Sequence, residues 1–143
     1  MVHALREAWR VLAHEGILID QRPLSSDTPL EIIHMDKSHR VGMLDLSPGL
    51  IHDIAADQSV ANLIKEGIFR ELSTEQFQIT YYWNTVRGMM GDIRERWLED
   101  IRLDMELIHS AYQLFGKFRS HRRVRLIFPM KLTKYEKVSI EKK

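Results

Sequence analysis

The first apolar positions, Leu5, Ala8, Trp9 and Leu12, share one helical face opposite Arg6, Glu7 and Arg10, which predicts a helix over Ala4 to Ala13 closed by Gly16. Ile17-Leu18-Ile19-Asp20 follows, apolar and β-branched, and runs into Arg22-Pro23, the pattern of a buried strand leaving the core. Helix, glycine turn and strand together predict an αβ unit whose strand lies parallel to its neighbours. Past the turn-rich Ser25-Ser26-Asp27-Thr28-Pro29, the stretches Glu31 to Met35 and Arg40 to Leu46 flank polar Asp36-Lys37-Ser38-His39, which predicts a hairpin. Ser47-Pro48-Gly49 breaks the chain. Asp57 to Glu66 carries Val60, Ala61, Leu63 and Ile64 ahead of Gly67, a short amphipathic helix with a glycine cap. From Phe69 to Trp83, Phe77, Ile79, Tyr81 and Trp83 alternate with Gln78, Thr80 and Tyr82, a half-buried strand.

The most regular stretch runs from Thr85 to Phe118. Val86, Met90, Ile93, Trp97, Ile101, Met105, Ile108, Tyr112 and Phe115 cover 29 residues in eight steps of three or four, close to the helical period. Arg94, Arg96, Glu99, Asp100, Arg102, Asp104 and Glu106 take the other side. One long amphipathic helix over 85–118 is predicted, its Met and aromatic stripe serving as core or partner contact, with Gly88 and Gly91 weakening the first turns. From Arg123 to Tyr135, Val124, Leu126, Phe128, Met130 and Leu132 alternate with Arg125, Ile127 and Lys131. That predicts a terminal strand, which Pro129 should kink or confine to an edge.

A chain of 143 residues, 44% hydrophobic and 29% charged, is long enough for one globular domain with a single core. It has no cysteine, which excludes disulfides, thiolate metal sites, iron–sulfur clusters and a cysteine nucleophile. Apolar runs such as Ile17-Leu18-Ile19 and Leu126-Ile127-Phe128 fall far short of a membrane span, and no secretory signal is visible. The expectation is a soluble, cytoplasmic protein without membrane contact. Charge is unevenly placed: six Lys and four Arg against two Glu give residues 117–143 a net +8, leaving −7 for residues 1–116 of a chain whose total is +1. A basic edge strand with a solvated tail explains this, and a nucleic-acid contact is the sharper alternative.

Motifs of known chemistry are mostly absent. No two of the seven glycines are separated by a single residue, so phosphate-cradling G-x-G loops are excluded, and no nucleophile elbow, H-E-x-x-H helix or EF-hand loop occurs. His34, Asp36 and His39 are the one local histidine cluster. They could form a two-histidine, one-carboxylate set, but a solvated hairpin tip is the plainer account of the same residues, and no metal site is assigned. Lys117 to Arg125 offers Arg119, Arg122, Arg123 and Arg125, together with His121, as phosphate contacts, with Phe118 interleaved to stack on a base. The plainer account is a basic loop leaving a helix C-terminus, where the helix dipole favours cations. Tyr81-Tyr82-Trp83-Asn84 is the densest aromatic group, suited to core packing or to lining a substrate pocket.

The run from Leu5 to Asp20, with Glu7, Arg10-Val11-Leu12, the Gly16 turn and the aliphatic Ile17-Leu18-Ile19, resembles the stretch of class I S-adenosylmethionine-dependent methyltransferases of the Methyltransf-11 type that leads into the fifth sheet strand. His14-Glu15 stand where that family has proline and a first glycine. The resemblance implies an α/β fold carrying a partial Rossmann-like methyltransferase sheet. Its fifth strand would be Ile17 to Asp20, its next helix Asp57 to Glu66, its sixth strand Phe69 to Trp83, and its antiparallel seventh strand Val124 to Lys134. The long helix 85–118 and the hairpin 31–46 would be insertions at places where such enzymes build substrate caps.

The family's cofactor loop and acidic cofactor residues lie upstream of the matching helix, so no cofactor-binding residue carries over. The resemblance therefore implies one domain over residues 1–143: helix and strand in 1–24, the hairpin insertion in 25–50, helix and strand in 51–84, the long helix in 85–118, and a terminal strand with basic tail in 119–143. It would be the carboxyl-terminal half of the enzyme, contributing sheet and cap, inactive alone, and binding no S-adenosylmethionine by itself. Its expected partner is a missing amino-terminal half or a second copy, and, once completed, a small-molecule substrate. Arg22, Tyr81, Tyr82 and Trp83 are the substrate-side candidates, and the catalytic residues stay unassigned. Two rivals remain: a non-enzymatic dimerising or partner-binding module, and a small nucleic-acid-binding protein using residues 117–125.

Overall fold

The computed structural model describes residues 2–138 of the chain. It is a mixed α/β fold whose elements run α1 (Val2–Val11), β1 (Ile17–Pro23), β2 (Thr28–His34), β3 (Lys37–Leu44), a 3₁₀ turn (Ser47–Gly49), α2 (Leu50–Lys65), β4 (Phe69–Trp83), α3 (Val86–Arg96), α4 (Met105–Lys117) and β5 (Arg122–Lys137). The strands hydrogen-bond in the order β1–β5–β2–β3, with β4 also paired to β5. The β1–β5, β2–β5 and β2–β3 pairs are all antiparallel, which runs against the expected parallel sheet of a Rossmann-like fold. The chain divides into two compact units, one formed by the described residues up to Pro23, Ile51–Phe77 and Met130 onward, the other by Leu24–Leu50 and Gln78–Pro129.

In the first unit, Ile17 to Pro23 of β1 pair with Glu136 to Met130 of β5. The other edge of the same stretch takes β4, where Thr74 meets Thr133 and the Val138 amide donates to the Ile68 carbonyl. β1 and β4 thus run the same way on either side of an antiparallel β5. Pro129 was expected to kink the last strand or confine it to an edge, and the edge alternative fails because β5 pairs with β1, β2 and β4. The proline falls in the interval between the β1 register, which starts at Met130, and the β2 register, which stops at Leu126, so its missing N–H interrupts neither ladder.

β1 is not the buried strand its composition suggests. Leu18 turns inward, whereas Ile17 is 40% and Ile19 58% exposed. Gly16 is required by closeness rather than by φ: a Cβ there would stand 2.8 Å from the Ala13 carbonyl oxygen, and the left-handed residue of the turn is Glu15. α2 starts at Leu50 rather than Asp57, because Ser47-Pro48-Gly49 leads the chain directly into the helix. It ends as expected on Gly67, whose φ of 71° closes a Schellman-type turn with Gly67 N–H to Ile64 and Ile68 N–H to Leu63. β4 spans the expected residues but is mostly exposed rather than half-buried.

In the second unit, β2 and β3 form the expected hairpin around a two-residue turn, Met35-Asp36, both left-handed at φ 47° and 64°. The polar Lys37-Ser38-His39 belongs to β3 rather than to the connector. The long helix is two helices. Trp97 leaves helical geometry at φ −133°, the Arg102 amide is captured by the Asp45 carbonyl at 2.9 Å, and the Asp104 side chain then caps α4 by accepting from Glu106 N–H. Residues 97–104 amount to roughly two helical turns, so the apolar stripe resumes in phase after the break and imitates continuity. Met105 and Tyr112, assigned to that stripe, are exposed. The core behind the hairpin is aliphatic, with Leu30, Ile32, Leu44, Met89, Ile93, Ile108, Val124 and Leu126 all fully buried.

Candidate functional site

Alternation along β2 and β5 gives the sheet of the second unit two unlike faces. Leu30, Ile32, Val124 and Leu126 go into the core, while Glu31, Ile33, Arg123 and Arg125 go to the other side, paired Glu31 with Arg125 and Ile33 with Arg123. Arg125 holds Glu31 through Nε at 2.8 Å and an Nη at 2.6 Å and also reaches Ser38 Oγ at 3.2 Å. Burial alone would lower the Arg125 pKa, but Glu31 and Tyr82 outweigh it and raise it, so the guanidinium is held charged and engaged. Arg123 lies 4.9 Å from the centroid of the Tyr82 ring.

Arg122 points the other way. It donates to the Phe115 and Phe118 carbonyls at the end of α4 and sits 4.1 Å over the Phe115 ring. These are the unpaired carbonyls that a helix C-terminus presents to a cation. Arg119, the remaining phosphate candidate, is exposed and makes no ion pair or hydrogen bond among the described residues. Phe118 is not open for a base, since His34 stacks on it at 4.3 Å and His39 tilts against it at 4.8 Å. The same stacking occupies both imidazoles of the histidine cluster, and among the described residues no group of His, Asp or Glu is arranged to hold a metal.

The aromatic run splits across the strand. Tyr81 and Trp83 stack at 5.9 Å, Tyr81 meets Trp97 and Phe128 edge-on at 5.3 and 5.5 Å and Trp83 meets Trp97 edge-on at 6.5 Å, while Tyr82 faces the opposite side with Arg123. Trp83 Nε1 donates to Asp92 at 2.6 Å, which leaves its polar handle satisfied. Trp97 and Phe128 complete this cluster without having been singled out in the sequence, where they read only as members of apolar stripes. In the first unit Arg22 is clamped by Asp20 and Asp57, both at 2.9 Å, and Lys131 reaches Asp57 at 3.3 Å. Its guanidinium is consumed by this network.

One open depression of about 500 Å³ is lined by Ile33, Met35, Asp36, His121, Arg122 and Arg123. It brings together two of the four arginine candidates for phosphate, Arg122 and Arg123. Arg125 is tied to Glu31, and Tyr81 and Trp83 belong to the aromatic cluster. His121 also comes from the basic segment read as phosphate-contacting, while Ile33 and Met35 were missed, since in the sequence they read only as part of the hairpin. A lining of this charge does not suit S-adenosylmethionine, whose sulfonium is itself a cation, and no glycine-rich backbone cradle borders it. No family model, curated protein or solved structure matches the chain.

Proposed function

We propose that the chain is the carboxyl-terminal portion of a class I S-adenosylmethionine-dependent methyltransferase, supplying the last sheet strands and a substrate cap but not the cofactor site. The observation that carries this reading is the division of the chain. Residues 24–50 and 78–129 cluster into one compact unit, and these contain the two segments that the resemblance sets apart as cap insertions. Of the segments likened to the family's last strands and the helix between them, 17–20, 57–66, 69–77 and 130–134 fall in the other unit, where the final strand is antiparallel to β1, as the resemblance requires of it, while 78–83 and 124–129 continue into the cap unit. Methyl transfer is an in-line displacement that needs donor and acceptor held in register, so a cap without a cofactor site does not turn over.

The exposed Ile17 and Ile19 on β1 also favour a covering partner, which is the form a partner-binding module would share. The test begins with the reading frame immediately upstream of Met1, which should encode a glycine-rich loop. Co-expression of that segment should give a complex that binds S-adenosylmethionine by calorimetry, while the chain alone gives no heat. Binding by the chain alone, or a complex with its amino-terminal segment that binds no cofactor, would overturn the proposal.

A further inference from the structure

The depression at the β2–β3 turn combines three properties. Its lining sets Arg122, Arg123 and His121 against one carboxylate, Asp36. The start of β3, the end of α4, the loop after it and the start of β5 carry Lys37, Arg40, Lys117, Arg119, Arg122 and Arg123, and none of the six forms an ion pair among the described residues. Arg96, Arg102 and Arg125 of the same unit each do.

The two lining arginines are nonetheless fixed. Arg122 rests on two carbonyls and a phenyl ring, and Arg123 on a tyrosyl ring. Dipoles and ring quadrupoles orient a guanidinium without cancelling its charge, so the positive field stays available to a ligand at little ordering cost. Backbone strain gathers at the same place. Of the four non-glycine residues with left-handed φ among those described, Met35, Asp36 and His121 border this depression, and the His121 carbonyl is bound by the Met35 amide at 3.2 Å.

We propose that this depression binds the phosphate group of a phosphorylated ligand. Arg123 engages the phosphate oxygens, Arg122 adds its uncancelled positive field from the lining, His121 adds a donor, and Ile33 with Met35 forms an apolar wall for the body of the molecule. Its volume suits a ligand of nucleotide size. Phosphate binding here does not depend on the methyltransferase reading, because it uses only residues of the second unit.

The ¹⁵N-labelled chain is titrated with adenosine 5′-monophosphate, with adenosine, and with sodium chloride at matched ionic strength. The monophosphate should give saturable amide shifts at residues 33–36 and 121–123, and adenosine and chloride none. Arg123→Ala, at an exposed position, should weaken binding about tenfold or more, Arg123→Lys about threefold or less, and Asp36→Asn should tighten it. A single-stranded oligonucleotide that shifts the same amides and loses affinity with Arg123→Ala identifies a nucleic-acid strand as the source of the phosphate. One that leaves them unmoved identifies a small molecule. Equal binding of adenosine, shifts reproduced by chloride, no saturable response, or indifference to Arg123→Ala with the far-UV spectrum intact would each overturn the assignment.

Discussion

The two units hold themselves together by different means. The second buries an aliphatic core with eight side chains at or near zero exposure, fed by both strands of a hairpin and by two helices. The first gathers Val60, Leu63, Ile68, Phe69 and Tyr135, against which Leu5, Trp9, Leu12, Leu18 and Ile64 pack only in part, and α1 has no fully buried residue. It compensates with polar ties: Trp9 Nε1 to the Val138 carbonyl, Lys137 to the Leu12 carbonyl, Arg6 to Glu66, and the Arg22 network. Such ties, part-buried at Trp9 and Lys137 and exposed at Arg6, contribute less than buried apolar area. The first unit thus leaves Ile17 and Ile19 in water and leans on such ties, whereas the second rests on its buried aliphatic core.

The largest expected effect tests this contrast with one substitution type in both places. Leu126→Ala, in the second unit's core, should cost about 3–4 kcal/mol, and Leu12→Ala about 1 kcal/mol, by urea denaturation. Equal costs would break the comparison. Hydrogen exchange should follow the same order, with the amides of α1 and β1 opening before those of β2 and β5 at residues 122–126.

Next comes Glu31→Gln, which leaves Arg125 without its countercharge at a site where the carboxylate is 9% exposed. A loss of about 2 kcal/mol is expected, more than for the double variant Glu31→Leu with Arg125→Met, since a matched apolar pair replaces a buried ion pair at little cost. If the double variant is no more stable than the single, the ion pair is not what organises that face.

How far the sequence disclosed this arrangement depended on whether its signals were local. Phe69–Trp83, the hairpin and the Gly67 cap could be read because alternation, turn composition and glycine act over a few residues. The division of 85–118 into two helices was hidden because an eight-residue corner keeps the helical phase. Its one local trace was Asp104, a capping residue two positions before the Glu106 amide that it binds. Pro129 misled because its position relative to two separate registers is a tertiary fact. The basic segment was visible as charge, but which arginines stay unneutralised was not, since Arg125 finds Glu31 94 residues away. The left-handed His121 carries no sequence signature at all.

A smaller effect sharpens the picture of the second unit as stable enough to hold strain at its binding end. Met35 is 68% exposed and left-handed, a conformation asparagine adopts far more readily. Met35→Asn should therefore raise stability by about 0.5–1 kcal/mol while weakening the apolar wall of the depression. Thermal denaturation and the monophosphate titration would register the two changes in opposite directions, and a destabilised variant would show that the turn is not strained.

The smallest effect belongs to the first unit and its reliance on charge. Burial pushes the Asp57 carboxyl up, but the hydrogen bonds from Arg22 and Lys131 outweigh this and hold it below its ordinary value of 3.8. A carboxyl depressed in the folded state stabilises above its unfolded pKa, and that stability is lost as pH falls through the lower folded value. The loss therefore lies below pH 3.8, not in the neutral range. Because the Asp57 side chain is 57% exposed, solvent screening keeps the contribution below about 1 kcal/mol. Urea midpoints of the wild type and Asp57→Asn should differ at pH 5 and converge as the pH falls below 3.8 through the lower folded value, and added salt should narrow the gap at pH 5. A gap that widens on acidification would mean that Asp57 is not held by these cations, and the first unit would then need another source for the stability its core does not provide.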